Sequence, residues 1–436
     1  MRYSTTRNYA AAETLAVVLA GGRGKRLGLL TDQKAKPALA FGSRHRLIDF
    51  PLSNCMNSGI RRIAVAVQYK PEQLVEHLQS VWCRSWPNPN EFVELWRART
   101  GSLDTAEYAG TADAVYKNIG RIRLLRPRHV LILAGDHIYK QDYRALIAEH
   151  ERRGAEVTVS CVEVPLKEAS RFGVMDVNEA GEIHAFLEKS ADPPCLPNDP
   201  TRALASMGIY VFNTEVLLDA LEQDAARDSS RRDFGGDIIP HLVGRCRLFA
   251  HRYSLSCVAP KNAREPYWRD VGTIEAYWQA SIDIVRKGSN LDLDDESWPT
   301  GPRRLRWRTA KSPFDKAPTK GTIIDSVLAA GTSVGSSAIV EESVLLPGCR
   351  VSEGARLRRC IVADGSVIPG GLVVGEDAEK DARRFHRTAT GITIVTPQML
   401  ARLSVPTDDF VPMMINAQSE NSRHTLTRKE EHALAG

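Results

Sequence analysis

No two of the eight cysteines stand in a Cys-x-x-Cys pair. Cys55, Cys83, Cys161, Cys195, Cys246, Cys257, Cys349 and Cys360 are scattered through core-like and loop segments. That scatter argues against a zinc framework or a disulfide scaffold, so the thiols are expected to be reduced, in a cytoplasmic setting. Long apolar runs are missing too. Leu15–Ala20 and Val130–Ala134 fall far short of the roughly 18 residues that read as a membrane span. Arg2 and Arg7, ahead of an alanine-rich run, faintly imitate a signal peptide. Glu13 breaks that run, and Leu15–Ala20 reads instead as a buried strand. A large excess of one charge is also absent. Lys plus Arg is 58 against 53 for Asp plus Glu, a net +5. A dedicated nucleic-acid binder carries a denser basic stripe, so neither nucleic acid nor membrane is expected as a partner.

What is present is an ordinary globular composition, 43% hydrophobic and 25% charged, in a chain of 436 residues. That length suggests two or three domains. Residues 1–12 read as a frayed, disordered N-terminus. From 13 to 285, short β-branched runs (Leu15–Ala20, Ile63–Gln68, Val130–Leu133, Val157–Val162, Met207–Phe212) alternate with helical patterns at Pro71–Leu78 and Gln141–Arg153. Alternation of this kind predicts an α/β domain with a mostly parallel sheet. Residues 286–320, rich in proline and charge, read as a linker.

From 321 the pattern changes. Aliphatics recur every six residues: Val334 and Val340; Leu345, Val351 and Leu357; Ile361, Val367 and Val373. A six-residue period suits neither helix nor simple strand and predicts the coils of a β-helix over 321–395, short or imperfect because the phase slips between sets. The plain alternative is a β-rich domain with chance spacing. Residues 396–436 read as a last helix at Met399–Leu403 and a disordered tail.

The first strand runs into Gly21-Gly22-Arg23-Gly24-Lys25-Arg26. Glycines after a strand let the backbone approach a phosphate chain, and clustered Arg and Lys suit a triphosphate. The bland reading is a tight turn with solvated charges. Asp136 follows the strand Val130–Ala134, and ligands of α/β sheets bind at the carboxyl ends of strands. Asp136 with Asp270 can hold Mg²⁺, which wants oxygen ligands. Each alone can equally be a cap or turn former. Glu188-Lys189 alone reads as a solvated pair. His137 reads as a loop-orienting residue, because an anionic phosphate nucleophile needs no base. Trp82, Trp86 and Trp96 read as a partly buried loop core more readily than as an adenine stack.

Residues 15–41 (LAVVLAGGRGKRLGLLTDQKAKPALAF) closely resemble the signature of sugar-1-phosphate nucleotidylyltransferases. Arg46–Gly59, Gly110–Val115, Leu131–Tyr143, Phe172–Met175, Ala205–Phe212, Asp233–Pro240 and Pro266–Trp278 narrow the resemblance to the bacterial glucose-1-phosphate adenylyltransferases. It covers about residues 13–400. The resemblance implies a Rossmann-like catalytic domain followed by a left-handed parallel β-helix, and a homotetramer. It implies transfer of the adenylyl group of ATP to α-D-glucose 1-phosphate, giving ADP-glucose and pyrophosphate for glycogen synthesis. Leu19, Ala20, Gly21, Gly22, Arg23, Gly24, Gln68, Gly110 and Thr111 would then bind ATP. Arg23 and Arg26 would hold the β,γ-phosphates, Lys36 would stand near the α-phosphate, and Gln68 would read adenine. Lys189 would hold the sugar phosphate and Glu188 a sugar hydroxyl, with Tyr108, Gly173, Ser206 and Asp233 completing the sugar site. The bland roles of these last four are a core tyrosine, a turn, a buried strand serine and an N-cap.

The chain departs from the resembled pattern in places. Ser190 replaces a proline. Gln33 replaces the first of a basic pair whose second member is Lys34, and Ala40 replaces a histidine. Gly348 and Asp364 stand where an acid and a base are expected. Lys34, Arg46, Arg383 and Arg384 remain as candidates for a phosphorylated effector. The loop Leu95–Glu107 differs at Arg97, Arg99 and Thr100, which puts activation in question. Three other readings stay open: another nucleotide or sugar, a weakly active regulatory subunit, and an acyltransferase. The last is disfavoured because residues 321–375 contain no histidine.

Overall fold

A computed structural model describes residues 9–22, 24–83, 88, 90–98, 107–260, 263, 265–286, 289–301 and 320–403. Arg23, Trp86, Arg99, Thr100, the first eight residues, most of the proposed linker and the tail beyond Leu403 lie outside them.

The main sheet is built from β1 (Thr14–Ala20), β2 (Arg62–Val67), β3 (Phe92–Trp96) and β4 (His129–Ala134), with a short β5 (His137–Tyr139) beyond it. It continues through β6 (Val157–Pro165), β7 (Gly173–Val177), β8 (Ile183–Glu188), β9 (Arg202–Asn213) and β10 (Leu248–Arg252). The main order is β8-β7-β9-β4-β1-β2-β3, with β6 beside β9 and β10 beside β6. β4, β1, β2 and β3 run parallel. β9 is antiparallel to β4, β6 and β7. The parallel strands read as continuous apolar runs because both faces are covered: Leu15, Ala16, Val17 and Val18 of β1 are all fully buried.

Helices cover the sheet: α1 (Tyr9–Ala12), α2 (Asp49–Asn57), α3 (Thr111–Tyr116), α4 (Tyr143–Arg152), α5 (Thr214–Ala225) and α6 (Ile274–Asp283). The first helix corrects the frayed-terminus reading for residues 9–12. Ala10 and Ala11 are buried in the core, and Thr14 Oγ1 donates to Ala10 O at 2.7 Å. Within the segment expected as a linker, residues 289–301 run across the surface of the preceding domain. Trp298 is buried, its Nε1 donates to Asn54 Oδ1 at 3.0 Å, and Gly301 N donates to Ser53 Oγ at 2.7 Å.

A parallel β-helix follows β11 (Trp268–Asp270). Its described coils run through β12 (Thr322–Ile324), β13 (Val327–Leu328), β14 (Ser333–Val334), β15 (Ile339–Glu341), β16 (Val344–Leu345) and β17 (Arg350–Val351). They end with β18 (Arg356–Arg358), β19 (Cys360–Val362), β20 (Val367–Ile368) and β21 (Val373–Val374). Thr322 pairs with Ile339 and Ile339 with Arg356, so one coil takes about 17 residues where three hexads would take about 18. The inward residues are Val334, Val340, Leu345, Val351, Leu357, Val362, Ile368 and Val374. Steps of six, six and five explain the phase slip. They also correct the last set of the hexad reading. Ile368 and Val374 are fully buried, while Val367 is 56% exposed. Ile361 is buried too, but in the cluster that joins the domains.

That cluster packs Phe41, Tyr277 and Trp278 of the N-terminal domain with Val344, Ile361 and Ile394 of the β-helix. Trp278 Nε1 donates to Glu342 O at 2.8 Å, and Arg286 pairs with Glu342 at 2.5 Å. After the last coil come α7 (Ala378–Arg384) and α8 (Pro397–Leu403), the latter enclosing the expected last helix. All eight cysteines are free, and burial pushes the Cys55 and Cys161 thiols far up. Among the described residues no helix is long and apolar enough to cross a membrane.

Candidate active site

The carboxyl ends of β1, β2 and β4 open into one cleft of about 540 Å³. β1 delivers Gly21 and Gly22, β2 delivers Gln68, and β4 delivers Asp136 through Gly135. Gly135 is required small: a Cβ there would meet Leu19 O at 2.9 Å, and its N–H donates to that oxygen at 3.0 Å.

Asp136 and Asp270 converge for a reason of register. β5 and β11 pair antiparallel with Asp270 opposite His137, the neighbour of Asp136. Between the two carboxylates sits Lys36, its Nζ 2.8 Å from Asp136 Oδ2 and 3.3 Å from Asp270 Oδ1. Burial opposes the charge on Lys36, but the two carboxylates outweigh it and its pKa is raised. Burial likewise opposes charge on Asp136, yet Lys36 and His137 bring its pKa down to about 2. His137 Nε2 lies 3.7 Å from Asp136 and 3.9 Å from Asp270, with its ring edge-on to Trp268. Two hard carboxylates without a third protein ligand suit a divalent cation that takes its other ligands from water and phosphate. Among the described residues no group of three His, Cys, Asp or Glu is arranged to hold a metal ion by itself.

One wall of the cleft is formed by Leu19, Gly21, Gly22, Gln68, Gly110 and Thr111. Gln68 Nε2 donates to Tyr108 O at 3.3 Å. Tyr108 therefore stands beside Gln68, and its own hydroxyl is engaged with Trp96 O and Asn118. Ala20 and Gly24 are not in the lining: Ala20 is buried in the core, and Gly24 at φ +60° turns the chain into Lys25–Leu30. Arg26 lines the cleft and lies over Gly272, where a Cβ would be 2.7 Å from its Nη2.

The opposite wall holds Gly173, Glu188, Lys189, Ser206 and Asp233. Glu188 is seated between two glycines. A Cβ at Gly173 would come within 2.7 Å of its Oε2, and one at Gly235 within 2.9 Å. Gly235 was missed in the sequence reading, although it lies within the Asp233–Pro240 motif. Glu188 and Lys189 pair with each other, as the bland reading has it, yet both line the cleft. Lys189 sits at φ +51°, a left-handed conformation that non-glycine residues keep mainly where surroundings enforce it. Ser206 precedes a bulge in β9, where its pairing with β6 shifts before Ile209 and Gly208 takes φ +66°. Bulges re-aim side chains next to active sites. Asp233 is an N-cap, accepting from Gly236 N at 2.8 Å, and it also joins the two walls. Thr111 Oγ1 donates to its Oδ2 at 2.8 Å.

The four effector candidates already have partners. Lys34 pairs with Asp364, Arg46 Nη1 donates to Ala38 O, Arg383 lies near Glu379, and Arg384 bonds Asp381 and Val373 O. Trp82 and Trp96 are buried, with Trp82 Nε1 donating to Asp49 at 2.8 Å, but they sit in a helical turn and at the end of β3, which corrects the expected irregular loop core.

Glycine loop, strand-end carboxylates and a mostly parallel sheet together define a nucleotidyl transferase, and the family "Nucleotidyl transferase" matches residues 15–287. The family "GlmU-like, C-terminal hexapeptide" matches 318–395, in agreement with a left-handed parallel β-helix. The chain belongs to the glucose-1-phosphate adenylyltransferase family. A glucose-1-phosphate adenylyltransferase of Rhodospirillum rubrum is 49% identical over 412 residues, covering 91% of this chain and 97% of its own. Relatives of the same name from Dechloromonas aromatica and Granulibacter bethesdensis are 45% and 48% identical, covering 91% and 90% of this chain and 93% and 98% of their own.

Proposed function

We propose that the chain transfers the adenylyl group of ATP to α-D-glucose 1-phosphate, releasing pyrophosphate and giving ADP-glucose for glycogen synthesis. The observation that carries this reading is Lys36, held by Asp136 and Asp270 where a nucleotide wall and a sugar wall face each other. The family and its named relatives support the same reaction.

In this mechanism the amides of Gly21 and Gly22 and the guanidinium of Arg26 hold the β,γ-phosphates. Gln68 meets the adenine edge. Lys189 holds the phosphate of the sugar, with Glu188, Ser206 and Asp233 around the ring. An oxygen of the sugar phosphate forms a bond to the α-phosphorus in line, and the bond to the pyrophosphate oxygen breaks. The attacking oxygen is already anionic, so no general base is needed. Asp136 and Asp270 would hold Mg²⁺, which when bound offsets charge on the phosphates. Lys36 keeps the two carboxylates together and offers its ammonium to the α-phosphate. What the chain supplies is the positioning of two anions and stabilisation of the leaving pyrophosphate. A cytoplasmic homotetramer completes the proposal. Supporting assembly, Ile324 and Ile339 are exposed on the outer face of the β-helix.

The test is pyrophosphate release by the purified chain with Mg²⁺ and glucose 1-phosphate, offering ATP, UTP, dTTP and GTP in parallel. Preference for ATP is expected. Preference for another nucleotide overturns the adenylyl assignment, and no turnover with any nucleotide points to a regulatory subunit.

A further inference from the structure

Lys34 and Lys36 are two positions apart on one loop, and each is anchored in a different domain. Lys36 Nζ is held by Asp136 and Asp270 in the cleft. Lys34 Nζ is held by Asp364 Oδ2 on the β-helix. Lys34 is 9% exposed, Lys36 is 5%, and Ala35 between them is fully buried. A three-residue segment with all members buried transmits a shift at one end to the other, because a packed interior leaves no slack.

The anchor is firm. Asp364 stands in the turn between β19 and β20, where Ser366 N donates to Ala363 O at 3.2 Å and Gly365 N to Pro347 O of the neighbouring coil at 2.9 Å. Stacked coils therefore present its carboxylate. Its second oxygen, Oδ1, is buried with no hydrogen-bond partner among the described residues, while the side chain as a whole is 37% exposed and Oδ2 meets Lys34. On the catalytic side the loop continues into Pro37, whose carbonyl accepts from Ile48 N at 3.0 Å.

We propose that the Lys34–Asp364 pair is a positioning device: through Asp364 the β-helix sets the loop that aims Lys36 at the α-phosphate. The inference rests on the role given to Lys36 above. It also means that Lys34 is neutralised from within the chain, so an anion between the domains must displace Asp364 to reach it.

The test uses the full chain and its Asp364→Ala, Asp364→Asn and Asp364→Glu variants, with steady-state kinetics in both substrates. Misplacing a catalytic group by about 1 Å costs on the order of 10²-fold, so kcat of Asp364→Ala is expected to fall roughly 10- to 100-fold. KM for glucose 1-phosphate should hold, because the sugar wall does not touch this loop. Formate should restore part of the lost kcat in Asp364→Ala by seating against Lys34. It should not do so in Asp364→Asn, where the space is filled, nor change the parent. Asp364→Glu should retain most activity. Parent-like kcat in Asp364→Ala and Asp364→Asn overturns the proposal. So does a loss that neither formate nor Asp364→Glu relieves, which marks a merely structural contact.

A second readout needs no turnover. Acylation of Lys36 by an amine-reactive ester, followed by mass spectrometry, should rise several-fold in Asp364→Ala, and unchanged labelling contradicts the proposal. If the parent makes no ADP-glucose yet Lys36 labelling rises, the reaction assignment fails and the linkage between Lys34 and Lys36 stands.

Discussion

Lys36 is the residue on which the site turns, since it bridges carboxylates delivered by different strands. Removing one carboxylate charge has a direct consequence. Asp136→Asn should lower kcat on the order of 10²–10³, the usual loss when one electrostatic contact to a developing charge is removed. A near-parent rate in a steady-state assay would contradict the assignment. Gly272 allows a test that leaves every charge in place. A methyl there would stand 2.7 Å from Arg26 Nη2 and 3.1 Å from Asp270 Oδ2, so Gly272→Ala should displace chiefly the guanidinium and raise KM for ATP about tenfold, in line with loss of a hydrogen bond to a charged group. An unchanged KM would show that Arg26 does not hold ATP. Asp136 was legible in the sequence because it follows an apolar strand. Its convergence with Asp270 was not, because only the register of β5 against β11 brings them together.

At the scale of elements, the β-helix shows how far a period can be read. The six-residue spacing was visible, but the five-residue step was not, because it depends on how coils stack. A pair of substitutions separates the two readings. Ile368→Ala should cost about 2–5 kcal/mol, since it empties a fully buried position. Val367→Ala, on an exposed neighbour, should stay within about 0.5 kcal/mol. Chemical denaturation of both variants measures the difference, and equal losses would contradict the 17-residue coil. Residues 289–301 make a related point. Their proline and charge read as a linker, yet Trp298 anchors them against Asn54, a contact that no local pattern signals.

At the scale of the whole molecule, stability should depend on pH through His150. Burial, with His129 and Arg128 nearby, lowers its pKa from 6.5 to about 4, and its ring nitrogens bond Thr158 and Asn213 at 2.8 and 3.1 Å. The unfolded chain binds the proton more readily, so this contribution is complete above about pH 6.5 and is lost as pH falls towards 4. Its size is on the order of 2–4 kcal/mol. Melting temperature should therefore drop over that window, and His150→Gln should flatten the drop. A curve of unchanged steepness in the variant would contradict it. Domain order, sheet type and most cleft residues were legible because each lies in a contiguous motif. The Lys34–Asp364 pair was not, because it joins positions that meet only when the domains pack. The central claim is that the two walls around Lys36 bring ATP and glucose 1-phosphate together. It is tested most directly by pyrophosphate release from the purified chain with Mg²⁺, glucose 1-phosphate and each of four nucleotides. ATP should be strongly preferred, with ADP-glucose as the product. Preference for UTP, dTTP or GTP, or no turnover at all, would contradict the account.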